Sequence, residues 1–161
     1  MKFLAIAEAR GWPRMASNQC VYSLVSRRHD YASAEIAMRE QVGLLAYSPL
    51  AQGYLTGKYD DGKLPAGSRK ALFSQFLGRY EGPGGLEAIK DSNDTARALG
   101  LTPTQFALKF VETREFVTSN IIGATSMAQL KENIDAHDVT WTKEMEKEAN
   151  RIHKTYRSPV A

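Results

Sequence analysis

The sequence lacks several features that would mark a secreted or membrane protein. It contains a single cysteine, so no disulfide can form within the chain. Disulfides are typical of oxidising compartments, and their absence favours a reducing one. No apolar run approaches the roughly 20 residues that a membrane helix needs. We therefore expect a cytoplasmic protein with no membrane contact.

The chain also has only a small excess of charge of one sign. The chain has 21 Lys and Arg against 18 Asp and Glu, which leaves a net charge of +3. No run of basic residues with interleaved aromatics occurs, so nucleic-acid binding is not expected. At the N-terminus, Glu8 and Arg10 interrupt the apolar run and no small-residue cleavage site follows. This pattern indicates an amphipathic helix and not a signal peptide.

Metal-ligand spacing is missing as well. The three histidines and the cysteine show none of the short spacings that zinc sites use; they are His29, His137, His153 and Cys20. Cys20 is more typical of a small buried hydrophobic residue than of a nucleophile. We expect no metal site.

What is present is the composition of an ordinary globular protein. The 161 residues include 43% hydrophobic and 24% charged residues, which is enough for one domain with a real core and too few for two. We expect a single domain over residues 1–161.

Apolar periodicity predicts helices and strands in alternation. The predicted strands are 14–19, 44–47 and 117–122. The predicted helices are 2–10, 31–40 (capped by Asp30 or Ser33), 84–99, one that begins at Thr102-Pro103, 127–136 and one from Thr140 or Thr142 to about Tyr156. Alternation of this kind implies parallel strands joined by right-handed crossovers.

The spacing of apolar residues predicts which face of each of the last two helices is turned towards the core. Met127, Leu130 and Ile134 are expected to face the core from the first of them, and Met145, Ala149 and Ile152 from the second. Between the second strand and the helix at 84, a loop from Ser48 to Pro83 includes one expected helical turn at 72–80. Long loops of this kind are usually functional or mobile.

The segment 44–59 carries the first functional signal. A short apolar strand ends at Ser48-Pro49, and the residues that follow contain two glycines and a lysine. Ligands bind at the carboxyl ends of parallel strands. The segment therefore predicts a dinucleotide phosphate site.

Three stretches, in this order and spacing, resemble one family. They are SNQCVYSL at 17–24, AYSPLAQGYLTGKY at 46–59, and IGATS at 122–126 followed by QLKEN at 129–133. Together they resemble the aldo-keto reductases, (β/α)8 barrels that use NADPH to reduce carbonyls, and especially the branch with bacterial general-stress reductases and potassium-channel β-subunits. The resemblance implies an α/β fold that is a partial TIM barrel, roughly its last three strands with their helices plus extra helices.

The resemblance also implies a set of residues that bind NADP(H). These are Gln19, Tyr47, Ser48, Pro49, Leu50, Ala51, Gln52, Lys58, Arg69, Gly123, Thr125, Gln129, Glu132 and Asn133. Gln19 would bind the nicotinamide carboxamide, Tyr47 would stack on its ring, and the backbone of 48–52 would wrap the pyrophosphate.

The other implied contacts lie at the adenosine end of the cofactor. Lys58 would add charge to the phosphates, Arg69 would reach a 2′-phosphate, and the residues from 123 to 133 would hold the adenine and its ribose phosphate. Without the resemblance, Gln19 would be interpreted as a polar group at a strand end and Tyr47 as ordinary core. Arg69 and the polar face of residues 129–133 would be interpreted as solvated surface.

No catalytic residue is expected in this chain. In the family, the catalytic Asp, Tyr, Lys and His come from the first half, which the resemblance does not cover, so Tyr22, His29, Tyr47 and Lys58 are not candidates for these roles. We therefore expect the chain to lack carbonyl reductase activity by itself. The aromatics Phe73, Phe76 and Tyr80 form no constellation that identifies a substrate.

Three other interpretations remain open at this stage. The chain would be a non-catalytic nucleotide-binding or regulatory subunit, or an interaction protein whose sheet edges and apolar inner face seek a second copy or a complementing chain. It would otherwise be a truncated gene product that begins at an internal methionine.

Overall fold

The computed structural model describes residues 1–73, 75, 77–157 and 159–160. The strands of the described part are β1 (Ser17–Val21), β2 (Gly43–Tyr47) and β3 (Val117–Ile121). Its α-helices are α1 (Lys2–Ala9), α2 (Ser33–Arg39), α3 (Arg69–Leu72), α4 (Gly85–Ala98), α5 (Pro103–Glu112), α6 (Met127–Asp135) and α7 (Lys143–Thr155). No helix in these ranges is long and apolar enough to cross a membrane.

The three strands form a parallel sheet in the order β1-β2-β3. Gln19 pairs with Leu45, while Tyr47 pairs with Val21 on one side and Ile121 on the other. The predicted parallel pairing is therefore confirmed. All three strands end at the same edge of the sheet, which brings the segments after β2 and β3 to that edge.

The two faces of the sheet differ in burial. Leu44 and Ala46 are fully buried against the helices, and Asn120 on the same face donates its amide N–H to the Leu108 carbonyl of α5 at 3.2 Å. The other face is at least partly exposed; we call it the open face, and it contains Gln19, Val21, Leu45, Tyr47, Ser119 and Ile121. Four of these six residues are apolar, and Gln19 and Ser119 interrupt the apolar surface.

The core on the helix side is centred on Phe110 of α5. The Tyr22 ring stacks on Phe110 at 5.9 Å between ring centres. The Arg27 and Arg114 guanidinium carbons lie 5.0 and 4.5 Å from the centre of the same ring. Arg114 also donates to Glu146 of α7, so cation–π contacts and an ion pair connect α5 to α7.

Several helix caps follow the predicted chemistry. The Thr102 hydroxyl accepts from the Gln105 backbone and the Gln105 side chain accepts from the Thr102 backbone, which is a complete capping box. Ser126 and Thr142 cap α6 and α7 through their hydroxyls. The buried face Met145, Ala149 and Ile152 is confirmed.

Two predicted boundaries were wrong. The first strand begins at Ser17 and not at residue 14, because its pairing with β2 starts at Ser17 opposite Gly43. Neither Asp30 nor Ser33 caps α2, whose N-cap is Ala32 with no side-chain bond. Asp30 is already bound by Tyr22 and Arg27, at 2.6 and 2.7 Å.

The predicted inward face of α6 was wrong for two of its three residues. Met127 and Ile134 are 77% and 59% exposed. Leu130 is partly buried as expected, and Asn133 and the following Ala136 are buried beside it, in the part of the chain that packs against α5. A buried asparagine is tolerated there because its amide donates to the Gly123 carbonyl at 3.3 Å.

The long segment after β2 is more ordered than the sequence suggested. It contains 3₁₀ turns at Ala51–Thr56, Asp60–Gly62 and Gly78–Tyr80, and the short helix α3. The helical turn expected at 72–80 is only partly tested. Its residues Ser74 and Phe76 lie outside the described residues.

Candidate functional site

The backbone immediately after β2 adopts an unusual conformation. Ser48, Ala51 and Gln52 have φ angles of 55°, 49° and 56°, and Gly53 has φ of 101°. Six non-glycine residues with positive φ occur among the described residues, and these are three of them. Such conformations cost about 1–3 kcal/mol each and cluster at functional sites. The strained turn therefore marks the carboxyl end of β2 as a candidate binding site.

This turn closes on itself through backbone hydrogen bonds. Ala51 N–H donates to the Ser48 carbonyl at 2.9 Å, and Gly53 N–H donates to the Leu50 carbonyl at 2.9 Å. Ala51 is fully buried and Pro49 is buried as well. The loop is therefore a rigid surface, and two of its N–H groups are already used within it.

Lys58 lies against this turn. A Cβ atom at Gly53 would come within 2.6 Å of the Lys58 Cε and 2.7 Å of its Nζ, so the lysine side chain passes directly over the glycine. The ammonium also lies 5.1 Å from the centre of the Tyr59 ring. A positive charge thus lies on the strained turn, as an anion site requires.

A buried tyrosine cluster fixes the segment that carries Arg69. The Tyr54 hydroxyl donates to Glu81 at 2.6 Å, and the Lys70 ammonium pairs with the same carboxylate at 2.6 Å. Lys70 N–H donates to the Tyr59 hydroxyl at 3.1 Å. Hydrogen bonds from Lys70 and Tyr54 hold the pKa of Glu81 below its usual value. Both ends of the segment 69–81 are therefore tied to the 3₁₀ turn after β2.

A cavity of about 360 Å³ opens between these two segments. The described residues that line it are Gln52, Arg69, Phe73 and Arg79. Gln52 and Arg69 are two of the residues implied by the family resemblance. Arg79 was missed because a single arginine in an irregular loop carries no periodic or motif signal.

The segment after β3 is organised by the side chains of α6. The Gln129 amide oxygen accepts from the Thr125 N–H at 2.9 Å and from its hydroxyl at 3.1 Å. Asn133, 8% exposed, holds the Gly123 carbonyl. Both amides therefore shape the loop in front of the helix N-terminus. Glu132 is half-buried and forms no ion pair with a described residue.

Gln19 and Tyr47 lie on the open face of the sheet. Gln19 is exposed, and Tyr47 is half-buried at the end of β2 next to Ser48. They occupy neighbouring strands, so a flat ligand on this face could contact both. Of the implied residues, these two lie on the open face, while Ser48 to Gln52 and Gly123 to Thr125 follow the strand ends at the edge of the sheet.

Tyr22 and His29 are on the opposite side and serve the core. The Tyr22 hydroxyl is fully buried and donates to Asp30 at 2.6 Å, and burial raises the pKa of Tyr22 far above its usual value. His29 is 7% exposed and lies 5.2 Å from the Phe116 ring, and burial lowers its pKa. Neither side chain faces the candidate site.

A second cavity, of about 260 Å³, lies beside the unpaired edge of β3. Its lining includes Leu108, Glu112, Asn120, Asn133 and His137. The Glu112 carboxylate and the His137 Nδ1 atom are hydrogen-bonded to each other in this lining. Only Asn133 among the implied site residues reaches it, so this cavity is separate from the strained turn.

Comparison with known proteins identifies relatives for nearly the whole chain. A family model described as the aldo/keto reductase family matches residues 3–154. Protein tas of Escherichia coli (strain K12) is 42% identical over 160 residues, which cover 99% of this chain and 46% of that protein. An aldo-keto reductase of Babesia bovis is 34% identical over 167 residues, covering 99% of this chain and 59% of the relative.

A third relative is described by a different role. A putative voltage-gated potassium channel subunit beta of Schizosaccharomyces pombe is 32% identical over 127 residues, covering 74% of this chain and 36% of that protein. The chain spans about half the length of the first two relatives.

Proposed function

The chain belongs to the aldo/keto reductase family, and from this premise we propose that it is the NADPH-binding part of an oxidoreductase that reduces small carbonyl compounds. The observation that carries the proposal is the strained turn at Ser48–Gly53 with the Lys58 ammonium lying over it. A rigid backbone and a fixed positive charge at the end of a parallel strand suit a pyrophosphate.

The residues fit the cofactor at its phosphate end. The turn from Ser48 to Gln52 would contact the pyrophosphate, and Lys58 would neutralise part of its charge. Arg69 would bind the ribose 2′-phosphate, for which a planar guanidinium is well suited. Its position on the cavity with Gln52 supports this assignment.

The nicotinamide end is assigned to the open face. Gln19 would donate to and accept from the carboxamide, since an amide side chain offers both functions. Tyr47 would stack on the ring and fix which face is presented. Both residues have exposed surface on this side of the sheet.

The loop before α6 would hold the adenine and its ribose phosphate. Gly123 and Thr125 lie before a helix N-terminus, where backbone N–H groups favour negative charge. Gln129 and Asn133 hold that loop in shape, and Glu132 would accept from a ribose or adenine donor. These roles are part of the same proposal.

In the complete enzyme, bound NADPH supplies the hydride that reduces the carbonyl. The residues of this chain bind the cofactor and orient it; the tyrosine that donates the proton in the family is not among the positions matched here. We propose that this chain alone does not reduce carbonyls. We also propose that residues 1–161 form a single domain equivalent to the last three strands of the barrel.

A regulatory or interaction role is the second candidate. It is favoured by the two sheet edges, since β1 and β3 each pair on one side only within the described part of the chain, and by the relative described as a potassium channel subunit. Under this alternative the chain would bind a nucleotide or a partner chain without turnover.

Fluorescence titration with NADPH and a turnover assay with a reactive aldehyde test these proposals. Weak binding without turnover is the expected result, and saturable micromolar binding without turnover would favour the non-catalytic nucleotide-binding role. Substantial turnover would contradict the non-catalytic part, and absence of any binding would contradict the cofactor site. Light scattering after size exclusion decides the alternative, because a sharply monomeric folded species argues against an interaction role.

A further inference from the structure

The lysine that lies over the strained turn belongs to the segment from Tyr54 to Asp60. This segment contains Gly57, which ends the 3₁₀ turn with φ of 76°. The Thr56 hydroxyl donates to the Gly53 carbonyl at 2.8 Å, and the same hydroxyl oxygen accepts from the Lys58 N–H at 3.4 Å. The direction in which Lys58 leaves the backbone therefore depends on the conformation of this short segment.

Asn93 of α4 holds both ends of the segment. Asn93 is fully buried, and its side-chain N–H groups donate to the Tyr54 carbonyl at 3.1 Å and to the Asp60 carboxylate at 2.8 Å. The Tyr54 carbonyl also accepts from the Gly57 N–H at 3.3 Å. One buried amide thus connects the first and last residues of the segment that carries Lys58.

Arg97 lies one turn further along α4 and contacts the same segment. Its Nη2 atom is 2.5 Å from the Asp60 Oδ2 atom. A Cβ atom at Gly57 would come within 2.5 Å of the same nitrogen, so the guanidinium group lies directly against the backbone of the glycine. Its Nη1 atom donates to Asp94 of the same helix at 2.9 Å, which fixes the direction of the guanidinium plane.

The ion pair between Arg97 and Asp60 is open to water. The two side chains are 46% and 12% exposed, and ion pairs with such exposure contribute little to the stability of a fold. The buried Asn93 amide also stays in place when Arg97 is replaced. An Arg97 variant should therefore fold, and a change in its ligand binding would report the position of the segment and not a loss of structure.

We propose that Arg97 is a positioning residue for the phosphate contact of Lys58. Through its ion pair with Asp60, Arg97 holds the segment that directs the Lys58 ammonium over the strained turn. The inference rests on the proposed function, because that function assigns Lys58 to the pyrophosphate. Arg97 acts on the ligand through Lys58 alone, since Asp60 and Asp94 already share its planar fork.

Titration of the full chain with NADPH tests the proposal through a double-mutant cycle. Arg97→Gln removes the ion pair, Lys58→Gln removes the ammonium, and a double variant carries both changes. Asp91→Asn is the matched control, because Asp91 lies on the same helix but pairs with Arg151 of α7 at 2.7 Å. Thermal melts establish that each variant is folded before it is titrated.

Arg97→Gln should weaken NADPH binding about fivefold in the wild-type chain and less than about twofold in the chain that already carries Lys58→Gln, since two residues that act through one contact are not additive. Arg97→Lys should recover part of the affinity, because it keeps the charge without the planar fork. Asp91→Asn should bind NADPH as wild type does. Equal losses in the two backgrounds would overturn the proposal, and so would an equal loss in Asp91→Asn.

The position of Lys58 can also be measured without a ligand. Its ammonium lies 5.1 Å from the centre of the Tyr59 ring, so the ring current shifts the NMR resonance of the lysine Cε methylene. In protein with ¹³C-labelled lysine, this peak is assigned by its loss in Lys58→Gln. Arg97→Gln should move it towards the position of an exposed lysine, while Asp91→Asn should leave it unchanged.

A Lys58 resonance that stays in place in Arg97→Gln would overturn the proposal while the NADPH site stands. If wild type fails to bind NADPH, the proposed function falls. The resonance then decides by itself whether Arg97 positions Lys58.

Discussion

The Lys58 side chain crosses Gly53 so closely that a methyl group at position 53 would lie 2.7 Å from the lysine Nζ. Gly53 also has φ of 101°, a conformation that other residues rarely adopt. Two constraints therefore act on one glycine: the backbone must turn, and the ammonium must approach the backbone. The positive charge on the turn depends on both.

Replacing Gly53 with alanine should damage the turn through both constraints. We expect Gly53→Ala to lower the free energy of unfolding by roughly 1–3 kcal/mol, from strain and displacement of Lys58, and to weaken NADPH binding. Gly62→Ala is the control, because Gly62 has φ of 76° and nothing within 4 Å of the new methyl group. Chemical denaturation and NADPH titration of both variants provide the measurement. Equal effects in the two variants would mean that the contact with Lys58 is unimportant.

Two substitutions of Gln129 should distinguish its support of the loop before α6 from an effect on ligand binding. Gln129→Glu keeps an oxygen that accepts from the Thr125 backbone and hydroxyl, so its melting temperature should stay close to wild type. Its added negative charge lies in the first turn of α6 and should weaken NADPH binding, because it repels the negative charges of the cofactor. Gln129→Ala should lower the melting temperature, since Thr125 loses its partner. A Gln129→Glu variant that binds NADPH as tightly as wild type would remove this loop from the site.

Tyr22 should affect stability alone. Tyr22→Phe removes the hydroxyl that donates to Asp30 at 2.6 Å, and losing a hydrogen bond to a charged group costs about 1.5–3 kcal/mol. NADPH affinity should not change, because Tyr22 is buried on the helix side of the sheet. The control is Tyr31→Phe, which removes a hydroxyl that bonds the His153 Nε2 atom at 2.9 Å in an exposed position and should therefore cost less. Denaturation midpoints and NADPH titrations check both; a loss of NADPH binding in Tyr22→Phe would contradict the assignment.

Glu146 should account for part of the loss of folding stability at acidic pH. Its hydrogen bond to Arg114 lowers the pKa of Glu146 from 4.5 to about 2. Because the folded pKa lies below the unfolded one, this stabilisation is complete above about pH 4.5 and is lost as the pH falls towards 2. Glu146→Gln should therefore be less stable than wild type at neutral pH.

The difference between the two proteins should shrink as the pH falls through that window. Urea denaturation at several pH values measures it. Glu144→Gln, at an exposed residue of the same helix, is the control and should show a much smaller pH dependence. A constant difference between wild type and Glu146→Gln would show that the carboxylate charge contributes nothing.

The elements that the sequence predicted best are those with local signals. The Thr102-Pro103 start of α5 and the Ser126 cap of α6 depend on side chains that bond to the next turn of backbone, so a short window contains the whole cause. The buried face of α6 was mispredicted because Met127 and Ile134 are apolar but its partner helix α5 lies on another side. Hydrophobicity does not identify the direction of a neighbour.

The candidate site also contains residues that the sequence predicted and one that it did not. The resemblance of 17–24, 46–59 and 122–133 to a known family came from residue order alone, and the family match over residues 3–154 agrees with it. Arg79 was not predicted from the sequence, because it joins Arg69 and Gln52 in one cavity only when an irregular segment folds back towards the end of β2. The roles of the residues named from the resemblance stay predictions.

By itself, the sequence determined the alternation of helices and strands, their parallel pairing and the family, because these follow from periodicity, caps and motifs carried along the chain. Only the tertiary structure decided that Lys58 lies over Gly53, that the open face mixes polar and apolar residues, and that two arginines share a cavity with a buried acceptor. Those relationships join residues that are separated in the chain or turned by unusual backbone angles. Only packing in three dimensions fixes them.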